Sequence, residues 1–422
     1  MKAQARDGLR IAAVAGVAVA AAMMAGGCAL LGWVLPGSIS SPAESFGQLE
    51  AHKLSKAAEG MWNLHRAIMD AKAHGGWDND EYPWPRELQE GWRYSVANAA
   101  YAYPSIVIIE PARRAQVGQY LRQAILMMKE TPMWDDWKRF GFGESPIKDM
   151  NIMYKGHLNL MYGLHELITG SREFEAEYKE LTGIMVAEYE RNRKAGSCCG
   201  IVCEPDHYFP QCNAVGMMSL RVYDRIYGAD FDKREGQPIA DFIKKRLSDP
   251  ETGLVFRKYH PSHDQAEAYL TAFANGWGLT FLHVYDPAWC EKAAASYERL
   301  FVRDIVKDTA SFVVDTANAQ DMAIYGEAAL DVLYVGVMAR EYNNPALWGK
   351  VDRFLTLALE PAIRDGVTHF QSEEGKESEV ITQGYLLWSQ VHVGWARILA
   401  YPWEEGYDKP GAAAGPRKEV KP

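Results

Sequence analysis

The sequence predicts an all-α fold, an (α/α)6 barrel of about twelve helices preceded by an N-terminal signal or anchor helix. Three observations predict it. Apolar residues recur at spacings of three and four along most of the chain, the period of a helix face. No long stretch alternates Val, Ile or Thr with polar residues, so strands are expected to be scarce. Segments such as Met153 to Ile168 and Phe273 to Tyr285 are apolar on most sides, which places them inside a jacket of other helices. Buried and half-buried helices in alternation suit six hairpins in a ring. A two-layer helical solenoid is the rival, but the chain lacks the repeated signature that solenoids carry.

The leader comes first. Lys2, Arg6 and Arg10 precede an uncharged, Ala-rich stretch from Ile11 to Leu35. A secretory signal has a basic start and a shorter apolar core. A membrane span needs about 20 apolar residues, a length this stretch reaches. Ala25-Gly26-Gly27-Cys28 loosely resembles a lipoprotein cleavage box, with Ala where Leu is usual. Each version puts Ser38 onward outside the cytoplasm, because basic residues stay on the cytoplasmic side. A periplasmic or otherwise extracytoplasmic protein is expected, with residues 1–37 as signal peptide or membrane anchor.

The barrel is expected over residues 38–405. Helical periodicity marks 44–73, 92–109, 111–129, 148–169, 171–192, 211–228, 236–247, 266–285, 287–306, 320–341, 344–360 and 382–400. Gly170-Ser171, Gly228-Ala229-Asp230, Asp249-Pro250 and Asp286-Pro287 punctuate the gaps. Residues 406–422 are rich in Pro, Gly, Ala and Lys and are expected to be disordered. The apolar share of 48% suffices to fold without staples. A net charge of −10 argues against nucleic acid as a partner, since phosphate binding needs a basic face.

Six cysteines in an exported chain would ordinarily suggest disulfides. Here Cys28 sits in the leader, Cys290 stands alone, and the other four crowd between Cys198 and Cys212. Such crowding points to a site or a local loop bridge. A metal site would draw on Cys198, Cys199, Cys203, Cys212 and His207. Zinc sites prefer two close pairs separated by a longer gap, and adjacent cysteines make poor joint ligands. A structural disulfide through Cys198 or Cys199 is the bland reading. A thiol acid/base site is the sharp one. A thiol titrates at about 8.5, so at neutral pH it is a weak acid able to give a proton. Two facing thiols could give and take protons on opposite sides of a hydrophobic substrate. A second constellation runs from Asn151 to Gly163. Met153 and His157 are four apart and share a helix face. A lone histidine on an apolar helix is most often a satisfied core residue. Gly156 beside it permits a close neighbour.

At these two segments the chain resembles the bacterial linalool dehydratase-isomerase family. The resemblance rests on Asn151–Gly163 continued by Thr169-Gly170-Ser171-Arg172, on Gly200-Ile201-Val202-Cys203-Glu204-Pro205-Asp206 with Tyr208-Phe209 and Gln211-Cys212-Asn213, and on Val222-Tyr223-Asp224-Arg225. Trp134-Asp135-Asp136-Trp137, Gly141-Phe142-Gly143 and Tyr259-His260-Pro261 fit as well. The resemblance covers most of the chain after about residue 55 and fades toward the C-terminus. It implies an (α/α)6 barrel, a homopentamer with its site near a subunit boundary, and no cofactor or metal. It implies reversible dehydration of linalool, a tertiary allylic alcohol, to myrcene, with isomerisation between linalool and geraniol. A small hydrophobic alcohol or alkene is then the expected partner.

By the same resemblance Cys203, Cys212, His157, Tyr94 and Asp70 are the expected catalytic residues, with Asp78 and Asp80 competing for the aspartate's place. Met153, Tyr208, Phe209, Phe273, Trp277 and Glu204 are expected around the substrate. Two departures stand out. A family tyrosine has no clear equivalent in Ala73-His74-Gly75-Gly76-Trp77, where Tyr82 could substitute, and another appears as Phe273. Both positions of a family disulfide lack cysteine, with Thr131 near the second. The tyrosine changes leave open which alkenol is the substrate. Two rival functions remain: a carbohydrate-active barrel enzyme using Glu204 and Asp206 as its two carboxylates, and a non-catalytic helical binding protein whose cysteines merely pair.

Overall fold

The computed structural model describes residues 40–148, 151–196, 198–306, 309–312 and 327–407. The expected signal or anchor helix, the start of the helix expected from residue 320, and residues 408–422 of the expected tail lie outside these.

In chain order the helices are α1 (Pro42–Phe46), α2 (Gln48–Ala51), α3 (Lys56–Gly75), α4 (Gln89–Ile109), α5 (Arg114–Lys129), α6 (Asp135–Arg139), α7 (Ile152–Thr169) and α8 (Glu175–Ala195). They continue as α9 (Pro210–Tyr227), α10 (Gln237–Arg246), α11 (Ala272–Leu282), α12 (Pro287–Phe301), α13 (Glu327–Glu341), α14 (Pro345–Leu359), α15 (Glu373–Val391) and α16 (Trp395–Ala400). Helices α4, α7, α9, α11, α13 and α15 pack each on the next, and α15 returns to α4, closing a ring. Helices α3, α5, α8, α10, α12 and α14 alternate with them in sequence and form the outer layer. This is the (α/α)6 barrel. Each outer helix carries the chain back before the next inner one begins, so all six inner helices start at the same end.

Local sequence sets these boundaries. Ser55, Thr271, Asp286, Asn344 and Ser372 each accept a backbone N–H of the following first turn, the ordinary N-cap. Gly170 and Gly228 end α7 and α9 in the left-handed conformation, which costs glycine nothing. Every residue from Ile152 to Ile168 in α7 is buried, which is why that segment is apolar on most sides, with Lys155 paired to Glu188.

Four expected helices are corrected. The one over 44–73 is α1, α2 and α3, because His52 turns left-handed at φ 49° and the chain restarts at the Ser55 cap. Residues 266–285 hold only α11, preceded by the hairpin of β1 (Lys258–His260) and β2 (Gln265–Glu267). Residues 287–306 leave helix at Phe301 for β3 (Val302–Val306), paired with β4 (Thr309–Phe312). The helix expected over 382–400 begins at Glu373 and breaks at Gly394, whose φ is 92°. A third hairpin pairs β5 (Pro361–Arg364) with β6 (Val367–Phe370). The packed chain runs past the expected boundary at 405: the Tyr407 hydroxyl donates to the Leu167 carbonyl at 2.7 Å.

Candidate active site

The loop from α8 to α9 crosses the end of the barrel where the inner helices begin. Asn213, buried in the first turn of α9, pins it. Its amide oxygen accepts the Ile201 N–H at 2.9 Å, and its nitrogen donates to the Ile201 and Phe209 carbonyls at 3.0 and 3.1 Å. The Ile152 N–H donates to the Val202 carbonyl, tying the same loop to the start of α7. Asp206 turns left-handed at φ 58° and accepts both the N–H and the hydroxyl of Ser262, beyond β1. Tyr208 exchanges two backbone hydrogen bonds with Tyr259. The loop is held on three sides.

This frame faces Cys203, on the loop, toward Cys212, in the first turn of α9. Both are buried and free, with the Cys203 thiol donating to the Cys212 sulfur at 3.8 Å. A disulfide needs about 2.05 Å. Two influences compete on Cys212. The N-terminus of a helix favours a thiolate. Burial disfavours it, and so do the neighbouring Cys203 thiol and the Glu204 carboxylate. Burial wins and holds the Cys212 thiol well above the usual range, so it is a neutral proton donor at physiological pH.

His157 lies one helix away on α7. Gly156 makes this approach close: a Cβ there would stand 3.2 and 3.3 Å from the backbone of Gly216 and 3.7 Å from the Cys212 carbonyl. The His157 ring stacks on Tyr101 at 5.7 Å and on Trp277 at 5.6 Å, with the Tyr94 ring edge-on at 5.6 Å. Its Nδ1 is hydrogen-bonded to the Tyr101 hydroxyl, while its Nε2 has no partner among the described residues. Burial, with the Arg93 charge assisting, lowers its pKa to about 3, so the ring is neutral.

Aromatic side chains complete the wall. Trp277 stacks on Tyr334 at 5.0 Å, Phe273 packs against both, and Tyr385 meets Tyr334 edge-on at 5.0 Å. Tyr94, Phe273, Phe209 and Glu204 are half-buried, whereas Cys203, Cys212, His157, Trp277 and Tyr334 are buried. The site thus grades from a partly open rim to a closed floor. Met153 is held from α4: the Arg93 guanidinium donates to its sulfur at 2.9 Å and pairs with Asp136 at 2.9 Å, both charges buried. Among the described residues no three His, Cys, Asp or Glu side chains converge as a metal would require.

A family model described as linalool dehydratase/isomerase matches residues 93–376, well over half of the chain. The chain belongs to that family. Solved structures resemble it more distantly. An unsaturated glucuronyl hydrolase specific for heparin aligns with a TM-score of 0.50 and 11% identity, over 80% of this chain and 96% of that one. The GH76A α-1,6-mannanase from Salegentibacter sp. HEL1_6 gives 0.49 and 12%, over 80% and 99%. At these identities the likeness concerns the fold. An enzyme of the linalool dehydratase/isomerase family built on a barrel that glycosidases also use is the coarse conclusion.

Of the residues expected from the linalool dehydratase/isomerase resemblance, the structure brings Cys203 to Cys212 and gathers His157, Tyr94, Trp277 and Phe273 in one cluster of rings, with Met153 one turn from His157 on α7. Glu204 stands at the rim, accepting from His207 at 2.9 Å. Phe209 is half-buried beside His207, their rings 6.1 Å apart. Two placements differ from expectation. Asp70 is exposed on the outer helix α3, where its carboxylate accepts the Tyr120 hydroxyl at 3.0 Å, so it does not join the thiols. Asp78 and Asp80 are exposed as well. Tyr208 lies behind the loop: its hydroxyl donates to the Cys199 carbonyl at 2.9 Å and its ring meets Phe242 and Tyr259. It supports the loop from outside. Cys198 and Cys199, for which a bridge was open, form no disulfide among the described residues. Sequence reasoning missed Tyr101, Tyr334, Tyr385, Arg93 and Asp136. For the first three no signal distinguishes them from core aromatics. Asp136 lies inside the Trp134-Asp135-Asp136-Trp137 motif, and for Arg93 a lone arginine beside Tyr94 on an apolar helix was the available sign.

Proposed function

We propose that the protein is a cofactor-free hydro-lyase and isomerase of tertiary allylic, terpenoid-like alcohols. The observation that carries this is the pair of free, buried thiols 3.8 Å apart, on a loop and helix packed next to the helix that bears His157. An allylic tertiary alcohol ionises readily once its hydroxyl is protonated, so the protein must supply an acid, tolerate a cation, and remove a neighbouring proton.

One thiol gives its proton to the substrate hydroxyl. The C–O bond breaks, water leaves, and an allylic cation faces the thiolate. The rings of Trp277, Tyr334 and Phe273 offer their negative faces to that cation. The thiolate, directly or after taking the second thiol's proton across the sulfur pair, leaves one sulfur basic. That sulfur accepts a proton from the adjacent methyl or methylene, and a diene and water depart with both thiols restored. For isomerisation, water returns to the other end of the cation and loses its proton to the same sulfur. His157 Nε2, buried and without a partner among the described residues, would hold the hydroxyl or the departing water. Apolar walls exclude bulk water, which would otherwise intercept the cation. From the leader sequence we place the enzyme outside the cytoplasm. From the family resemblance we propose a homo-oligomer, a pentamer.

The test is product identification after incubating the purified protein with linalool, shorter tertiary allylic alcohols and geraniol. At least one should give the diene or the isomeric alcohol, and folded Cys203→Ala and Cys212→Ala should give neither. Turnover near wild type in either folded variant would overturn the proposal.

A further inference from the structure

We infer that Tyr101 is a positioning residue that fixes the tautomer of His157, so that this ring meets the substrate oxygen as a neutral hydrogen-bond donor through Nε2–H and not as a base. The inference rests on the reading of the site given above and deepens it.

Geometry carries the argument. The Tyr101 hydroxyl is in hydrogen-bond contact with His157 Nδ1, and the two rings are nearly parallel, 14° apart. Tyr101 is fully buried, and its ring is boxed by Phe281 at 5.7 Å, Trp388 at 5.2 Å and Trp395 at 6.2 Å, all edge-on. None of those rings offers its hydroxyl an acceptor. A phenol proton in such a place goes to the one strong acceptor in reach, a ring nitrogen, because an unmade bond from a buried donor costs about 1–3 kcal/mol. Nδ1 therefore carries the lone pair. In a neutral imidazole the other nitrogen must then carry the proton. That nitrogen, Nε2, is the buried atom left without a partner among the described residues. Burial keeps both groups uncharged: it lowers His157 and raises the Tyr101 phenol well above its ordinary value. A proton therefore cannot pass from phenol to ring to make an ion pair at modest cost. Tyr94 packs edge-on and Trp277 stacks on the imidazole, so the ring is held in place from the sides as well as at Nδ1.

The chemical consequence separates labour in the site. The thiols exchange protons, while the imidazole orients an oxygen. A donor at Nε2 stabilises the hydroxyl's lone pair in the ground state and the departing water's oxygen in the transition state, with no net change in its own protonation. A basic imidazole would instead draw the proton from the hydroxyl, the wrong direction for dehydration.

Histidine-selective 15N labelling of the full-length protein tests this, with His157→Gln used to identify the His157 signals. The wild-type ring should show a protonated Nε2 and an unprotonated Nδ1. The opposite tautomer in the wild type would overturn the inference whether or not any alcohol is turned over, so it fails independently of the proposed reaction. In Tyr101→Phe the His157 signals should shift toward a mixture of tautomers. With an alcohol that is turned over, kcat should fall at least tenfold and KM change less than about threefold. An unchanged tautomer and an unchanged kcat in this variant would also overturn it. Gln places an N–H donor near the position of Nε2 but cannot act as a base, so His157→Gln should keep at least tenfold more turnover than His157→Leu. Equal losses in the two would contradict the donor role.

Discussion

Asn213→Ala should loosen the active-site loop by removing the amide that ties its backbone to α9. The wild-type amide makes three hydrogen bonds, to the Ile201 N–H, the Ile201 carbonyl and the Phe209 carbonyl, and it is fully buried. The Phe209 carbonyl keeps a second donor, the Asn213 backbone N–H at 3.2 Å. Both polar groups of Ile201 lose their partner, and Ile201 is itself buried. A buried unsatisfied group costs about 1–3 kcal/mol, so two of them give roughly 2–6 kcal/mol, less where water enters the space left by the amide. The loop also sets the reach of Cys203 toward Cys212. Turnover should therefore fall more than stability alone explains at temperatures where the variant is fully folded. Urea unfolding followed by circular dichroism measures the first effect, and steady-state rates well below the unfolding transition measure the second. A midpoint within error of wild type together with full activity would refute the reasoning, for it would mean the loop is held by its other ties.

Two further predictions follow from buried charges. His65, enclosed between Gln383 and Tyr103, is lowered by burial to about 4, and His157 to about 3. Between pH 6.5 and about 4 the unfolded chain takes protons that these folded rings refuse, so stability falls as pH falls through that window, by about 1.4 kcal/mol per pH unit for each ring. The melting temperature should drop steadily from pH 7 to pH 5, and a flat profile would contradict the burial of these rings. Asp136→Ala leaves the Arg93 guanidinium buried without its carboxylate, which should cost about 3–5 kcal/mol, whereas Arg93→Met with Asp136→Leu should recover most of the loss. Denaturation midpoints of the three proteins check this; equal midpoints for the single and double variants would count against it.

The inner ring was legible because burial on all sides leaves a mark: α7 and α11 are apolar on most sides. The thiols were legible from motif context. Short hairpins were not, since strands of three to five residues carry too few positions for alternation to show. The start of α15 was hidden because Glu373 to Glu379 read as polar loop, whereas Ser372 caps them as the projecting first turns of a helix. Tyr101, Tyr334 and Tyr385 could not be separated from packing residues, because an aromatic at helical spacing looks the same whether it faces a neighbour or a substrate. Asp70 shows the converse. Sequence position does not say which layer a helix joins, and α3 proved to be an outer one.

The contact of Gly156 with Gly216 has a consequence for how this scaffold can change. Where two helices touch through bare backbone, their separation is fixed by the main chain and does not follow the rotamers of intervening side chains. The ruler that sets imidazole against thiol is therefore independent of the residues that shape the chamber. On the proposed reading of the site, exchanges at Phe273, Tyr334 and Tyr385 should admit alcohols of other lengths without recalibrating the reacting atoms. Any residue larger than glycine at 156 would act as a shim and disturb every substrate alike. Selection for new substrates should accordingly accumulate changes in the aromatic wall and leave the two glycines untouched.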